Sequence, residues 1–276
     1  MNHEQKTTAH YRHGHLLAAI EQALAEMGLT PATVAIEDLA PVDEFHIGGR
    51  EATQHLFNNL RMTAEQRILD VGCGLGGAAR FAAQQFNVQV TGIDLCEEYV
   101  QVGSALNHWV GLNQQVDLIQ GSATDMPFED ATYSGAYQLH VGMNIEHKVA
   151  LFQEVSRVLK SGASFGVYDI MRCDAGELTY PVPWASTAET SHLASAETYK
   201  QALEAAGLRV IREENRRAFA LDFFARVQAQ HDTQGGPPPL GLHVLMQQTT
   251  PIKIGNMVNN LKAGFIAPVQ LVAIKQ

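Results

Sequence analysis

Apolar positions along the chain change period twice. Over the first sixty residues they recur at helical spacing. In "HLLAAIEQALAEMGL" the residues Leu16, Ile20, Leu24 and Met27 share one stripe, and Gly28 stops the helix. "ATVAIEDLAPVDEFHIGGREATQHLFNNL" follows, with a break at Pro41, an aromatic–histidine–glycine loop and a second short helix. From Arg67 to about Glu214, short runs rich in Val and Ile alternate with amphipathic stretches. "RILDVG", "VQVTGID", "QVDLIQG", "YSGAYQLHV", "ASFGVYDIM" and "LRVIREE" read as strands. "GGAARFAAQQF", "EEYVQVGSALNHWV", "EHKVALFQEVSRVLK" and "SAETYKQALEAAGL" read as the helices between them. Such repetition predicts a mainly parallel sheet with helices on both faces.

The last sixty residues are less regular. "RRAFALDFFARVQAQHD" has a helical pattern, and the prolines of "TQGGPPPLG" keep a loop extended. "TPIKIGNMVNNLKAGFI" predicts a helix with Thr250 as N-cap and Pro251 at its first position. "APVQLVAIK" ends the chain as a strand. Pro268 makes it an edge strand or moves its start past the proline. The expected organisation is a helical cover over residues 1–60 and one α/β domain over residues 61–276.

Composition narrows the partners. A net charge of -10 over 276 residues, with no Lys/Arg run, argues against nucleic acid. Cys73, Cys96 and Cys173 are odd in number and far apart, without zinc-type spacing, so neither a disulfide framework nor a metal is expected. "MNHEQKTTAHYRHGHLL" lacks the apolar core of a signal peptide, and no apolar run reaches membrane-spanning length. Its histidines read as a hydrated, frayed terminus rather than metal ligands. A cytoplasmic monomer or homodimer acting on a small molecule is the expectation.

The chemistry concentrates in "RILDVGCGLGGAARFAAQQFNVQVTGID". Gly72, Gly74, Gly76 and Gly77 follow a strand and open a helix, so a ligand can touch the backbone and meet free helix N–H groups. The spacing GxGxGG is not the phosphate loop GxxxxGK[ST]. A dinucleotide fold places similar glycines there, and in either fold Asp94, ending the second strand, can accept both ribose hydroxyls. Asp70 discriminates. Its charge is unfavourable beside a pyrophosphate and favourable beside an ammonium and a sulfonium, which S-adenosylmethionine carries.

"LDVGCGLGG" resembles the first motif of class I S-adenosylmethionine-dependent methyltransferases. "TGIDL", "GSATDMPFED" and "EVSRVLKSGASFGVYD" are similar to the later motifs in order and spacing. Within that class the chain resembles the small-molecule branch of sarcosine/dimethylglycine, phosphoethanolamine and ubiquinone-biosynthesis enzymes. The resemblance implies a Rossmann-like, seven-stranded, mainly parallel sheet with an N-terminal helical cover. It implies Asp70 and Gly72 near the methionine amino group, Gly74 along the methionine and sulfonium, Asp94 on the ribose and Leu95 against adenine. Ala123 would donate its backbone N–H to the adenine ring. Ser122 stands where the family often has an aspartate, and a neutral hydroxyl is the weaker acceptor. Cys73 and Gln138 complete the expected cofactor wall, Cys73 as packing rather than as a nucleophile.

Methyl transfer is an in-line displacement, so acceptor residues belong at the carboxyl ends of the strands and in what covers them. Tyr137, His140, Met143 and Asn144 are expected beside the transferred methyl, with His140 or His46 as base. Phe45, Tyr180 and Trp184 would supply aromatic walls, and Arg172 would pair with an acceptor carboxylate. The expected acceptor is an amine nitrogen. Oxygen or carbon of a phenolic or quinone precursor is the alternative, and a non-catalytic cofactor-binding module is the rival class.

Overall fold

The computed structural model describes residues 3–276. Four helices come first: α1 (His3–Tyr11), α2 (Leu16–Glu26), α3 (Ile36–Asp43) and α4 (Gly49–Phe57). Then follow β1 (Arg67–Val71), α5 (Gly77–Phe86), β2 (Gln89–Asp94), α6 (Glu97–Trp109), β3 (Val116–Gln120) and β4 (Tyr133–Leu139). The second half runs α7 (Lys148–Val158), β5 (Leu159–Arg172), α8 (Ala196–Ala205), β6 (Leu208–Asn215), α9 (Arg217–Gln234), α10 (Leu242–Met246), α11 (Thr250–Ala263) and β7 (Ile266–Lys275).

The seven strands form one sheet in the order β3-β2-β1-β4-β5-β7-β6. All pairs are parallel except those of β7, which is antiparallel to both β5 and β6. The central strands are buried over most of their length, as a sheet covered on both faces requires. On one face Leu151, Phe152 and Val155 of α7 and Leu203 of α8 pack on β4 and β5 residues. On the other, Leu56 and Phe57 of α4 join Ala79, Ala82 and Ala83 of α5. The chain leaves β1 toward β2 and β3 and returns to β4 on its opposite side. The carboxyl ends of β1 and β4 therefore flank the switch point where such sheets bind ligands.

The N-terminal helices are locked to this frame by an ion pair. Arg80 of α5 and Asp43 at the end of α3 are both fully buried and 2.6 Å apart. Arg80 also donates to Leu75 O and Asn107 Oδ1, each at 2.7 Å. The segment after Asp43 is thereby held beside the glycine loop.

Three expectations change. Pro41 lies inside α3, two residues before its end. Helix α11 has Thr249, not Thr250, as its N-cap residue. Strand β7 is internal despite Pro268. The Pro268 carbonyl accepts from Arg216 N–H at 2.8 Å, just past the end of β6. A residue's N and C=O share one side of an antiparallel strand, so the missing N–H falls where β6 has already ended.

Candidate active site

The glycine loop follows β1 with three glycines at positive φ: Gly72 (71°), Gly74 (53°) and Gly76 (78°). A Cβ at Gly72 would lie 2.4 Å from Val141, whereas one at Gly74 would meet nothing within 4 Å. The loop thus packs tightly at Gly72 and opens into a cavity at Gly74. Asp94 shapes this opening. Its Oδ2 accepts from Gly74 N–H and its Oδ1 from Cys96 N–H, both at 2.8 Å. Burial raises its pKa, and the hydrogen bonds from Cys96, Gly74 and Leu95 oppose that rise. Asp70 is more deeply set. Tyr137 donates its hydroxyl to Asp70 Oδ2 at 3.1 Å, and burial pushes the carboxyl up to about 8. The other Asp70 oxygen has no protein partner among the described residues and faces the cavity.

Leu95 and the Gly121–Thr124 loop line the far end of this crevice. There Ser122 Oγ donates to Glu4 Oε1 of α1 at 2.6 Å. The terminus expected to fray is, from His3 onward, a helix laid across the mouth of the cavity. Its ties are polar: Tyr11 donates to Asn144 Oδ1 at 3.1 Å, His3 Nε2 lies 2.6 Å from Asn144 O, and His10 Nε2 lies 2.9 Å from Pro183 O. Residues 1–2 of that stretch lie outside the described ones.

Past the loop the cavity continues to a second chamber, about 1490 Å³ in all. His46 and His140 line it together with Phe45, Met143, Asn144 and Trp184. His46 Nε2 lies 3.1 Å from Gly49 O and 2.9 Å from Thr53 Oγ1. A carbonyl only accepts, so Nε2 carries the proton and Nδ1 holds the free lone pair. Thr53 spends its own proton on Glu44 Oε2 at 2.5 Å, and Arg50 donates to Glu44 Oε1 at 2.5 Å. Burial lowers the His46 pKa, while Glu44 works against it. His140, at φ 58°, stacks on Tyr168 with centroids 5.3 Å apart. Burial first and His46 second push its pKa well down, and its Nε2 has no partner among the described residues. Both shifts favour the neutral ring.

Four expected site residues are elsewhere. Tyr137 is fully buried against Phe57, with centroids 4.6 Å apart, and reaches the site only through its bond to Asp70. Gln138 points to the opposite face of the sheet and donates to Asp169 Oδ2 at 2.6 Å. Arg172 turns to the Gly176 carbonyl, and Tyr180 packs on the cluster of Val182 and Leu261. Neither lines the cavity. Sequence reasoning missed Glu44, Thr53 and Glu4. The "HIGG" turn, with Gly48 and Gly49 both at positive φ, was the available signal for the first two, because it folds α4 back onto His46. Helix α1 has no buried residue and hence no apolar stripe to read.

Residues 68–162 match the protein family described as a methyltransferase domain. A sterol 24-C-methyltransferase of Gibberella zeae is 31% identical over 120 residues, 44% of this chain and 32% of the relative. Phosphoethanolamine N-methyltransferase 3 of Arabidopsis thaliana is 34% identical over 125 residues, 45% of this chain and 25% of the relative. The matched segments thus span a quarter to a third of these curated relatives. A geranyl diphosphate C-methyltransferase from Streptomyces coelicolor A3(2) shares the fold, with a TM-score of 0.71 over 100% of this chain and 99% of that one at 16% identity. The matched segment is similar to a methyltransferase domain, the seven-stranded sheet shares the fold of that structure, and the two together imply S-adenosylmethionine as the cofactor. The residues present fit that cofactor. Gly74 leaves open the space a Cβ would fill, and the partner-free oxygen of Asp70 suits an ammonium. Among the described residues no helix is long and apolar enough to cross a membrane.

Proposed function

We propose that the chain transfers a methyl group from S-adenosylmethionine to a small-molecule acceptor that loses a proton in the reaction. The reading rests on one observation: a single cavity of about 1490 Å³ joins the glycine-loop crevice to a chamber bearing His46 and His140. Sites for one ligand run to about 300–1,000 Å³, so this cavity has room for cofactor and acceptor together. Bound S-adenosylmethionine supplies a methyl group already activated on sulfur.

The chain's own residues do the rest. Asp70 holds the ammonium, Gly72 and Gly74 admit the methionine portion, and Cys73 packs behind it. Asp94 receives the ribose, and Leu95, Ser122 and Ala123 bound the adenine. His46 Nδ1 takes the acceptor's proton. The imidazolium that forms is stabilised by buried Glu44 through Thr53 Oγ1, which accepts from Nε2–H. Phe45, Met143, Asn144 and Trp184 orient the acceptor, and His140 walls it in.

A supported base is superfluous for a tertiary amine and useful for a phenol or an acidic carbon. Oxygen or carbon is therefore the favoured acceptor atom, ahead of amine nitrogen. The relatives do not decide between them, since one is named a C-methyltransferase and the other an N-methyltransferase. Incubation with methyl-labelled S-adenosylmethionine and pools of phenols, β-dicarbonyls and amines tests this. The expected product carries label on oxygen or carbon. Label on amines alone overturns the acceptor assignment. Binding of the cofactor without any labelled product favours a non-catalytic module.

A further inference from the structure

We infer that the acceptor is a bulky, largely apolar molecule, with its reacting atom at His46 and its hydrocarbon body between α9 and α11. The inference rests on the methyl-transfer reading and adds the substrate class. Even with a cofactor at the upper end of the single-ligand range, about 1,000 Å³, roughly 500 Å³ of the cavity remains. That is the size of a site for a drug-sized ligand and far more than a small zwitterion fills.

The wall is built for such a body. Beyond His46 it includes Met143, Trp184, Leu221, Phe224, Ile254 and Met257, which pack into or against one contiguous apolar cluster with Ile47. Trp184 spends its indole N–H on Ser191 Oγ at 2.9 Å, so it offers the chamber only its ring. Met143 and Met257 are unbranched, polarizable side chains that adapt to irregular apolar shapes. His46 and His140 stand at the inner end, and the exposed Gln228, Gln247, Gln248 and Lys262 stand on the lining from α9 to α11 together with the half-buried His231, His243 and Thr250. A body with a polar reacting end and an apolar length matches an apolar stretch bordered by such groups.

The test uses the full chain saturated with S-adenosylhomocysteine and a 4-alkylphenol series from ethyl to octyl, titrated by calorimetry. Each methylene buried in the chamber contributes about 0.8 kcal/mol, or about four-fold in affinity. Affinity is expected to climb by about that factor per methylene. Ile254→Trp and, separately, Leu221→Trp fill the chamber from two half-buried positions. Each should truncate the climb after the shorter members while leaving S-adenosylhomocysteine affinity unchanged. Affinity indifferent to chain length, or a climb unaltered by both variants, overturns the substrate class and leaves the methyl-transfer reading standing. Failure of the native chain to bind S-adenosylhomocysteine overturns both.

Discussion

Binding of S-adenosylhomocysteine at pH 7 is expected to release about 0.9 proton per site, with Asp70 as the source. In the free protein burial pushes the Asp70 carboxyl up to about 8, so at pH 7 about nine-tenths of it is protonated. The ligand's ammonium beside the partner-free oxygen favours the charged form, and the proton leaves. The ligand's α-amino group lies beside its own carboxylate, which keeps it protonated at pH 7, so it takes up none. At pH 9 Asp70 has about a tenth of a proton left to give, and its release nearly disappears. Between pH 6 and pH 7 the dissociation constant should fall about nine-fold, because a growing share of Asp70 is already ionised. Calorimetry in phosphate and in Tris, whose ionisation enthalpies differ, reads the proton count directly. Asp70→Asn should abolish the release. Tyr137→Phe, by removing the one hydrogen bond that lowers the Asp70 pKa, should raise the release toward one. A binding enthalpy at pH 7 that is the same in both buffers would refute the placement of Asp70 against the ammonium.

Thr53→Val interrupts the link from Glu44 to His46 without touching the ligand, and a drop in kcat of about 100-fold with unchanged cofactor affinity is expected in single-turnover assays. Because burial holds His46 below its ordinary 6.5, the native rate should rise with pH on the acid side of neutrality and be level above it. A Thr53→Val enzyme with native kcat would remove the relay. Arg80→Met leaves Asp43 buried without its partner and should cost about 3–5 kcal/mol in urea unfolding, much of it recovered in the double variant with Asp43→Asn.

The strands of the sheet were legible, most of them as short runs rich in Val and Ile, and β4 as "YSGAYQL" by its place between helical stretches. The run of β7, "APVQLVAIK", was found as a strand but given the wrong place. Its position between β5 and β6 depends on where β6 stops, which is a fact about another strand. Helix α7 shows the same limit at finer grain. Val149, at helical spacing from Phe152, is 45% exposed, while Leu151 is fully buried. A stripe read at 100° per residue leaves the edge of the face undecided until something packs on it.

The site divides along a similar line. Asp70, Gly72, Gly74, Asp94 and Leu95 line one crevice because they sit at the ends of two adjacent strands, and β1 and β2 pair in register through Val71 and Ile93. Such positions follow from local spacing. Tyr137 and Gln138 lie close to a strand end too, yet neither lines the cavity. Inside a strand alternate side chains enter the two packed layers, and these two are spent there. His140, one residue beyond β4 and at positive φ, lines the cavity. The base is harder still to read. Phe45, His46 and Ile47 look like a loop in sequence. What makes His46 basic at Nδ1 is a carbonyl three residues on and a hydroxyl seven residues on, brought back by two left-handed glycines. The same turn sets Phe45 and Ile47 against different apolar clusters, so His46 stands at the seam where the α9–α11 chamber begins. Replacing Gly48, where a Cβ would lie 2.5 Å from Phe219, would disturb the base and the acceptor wall together.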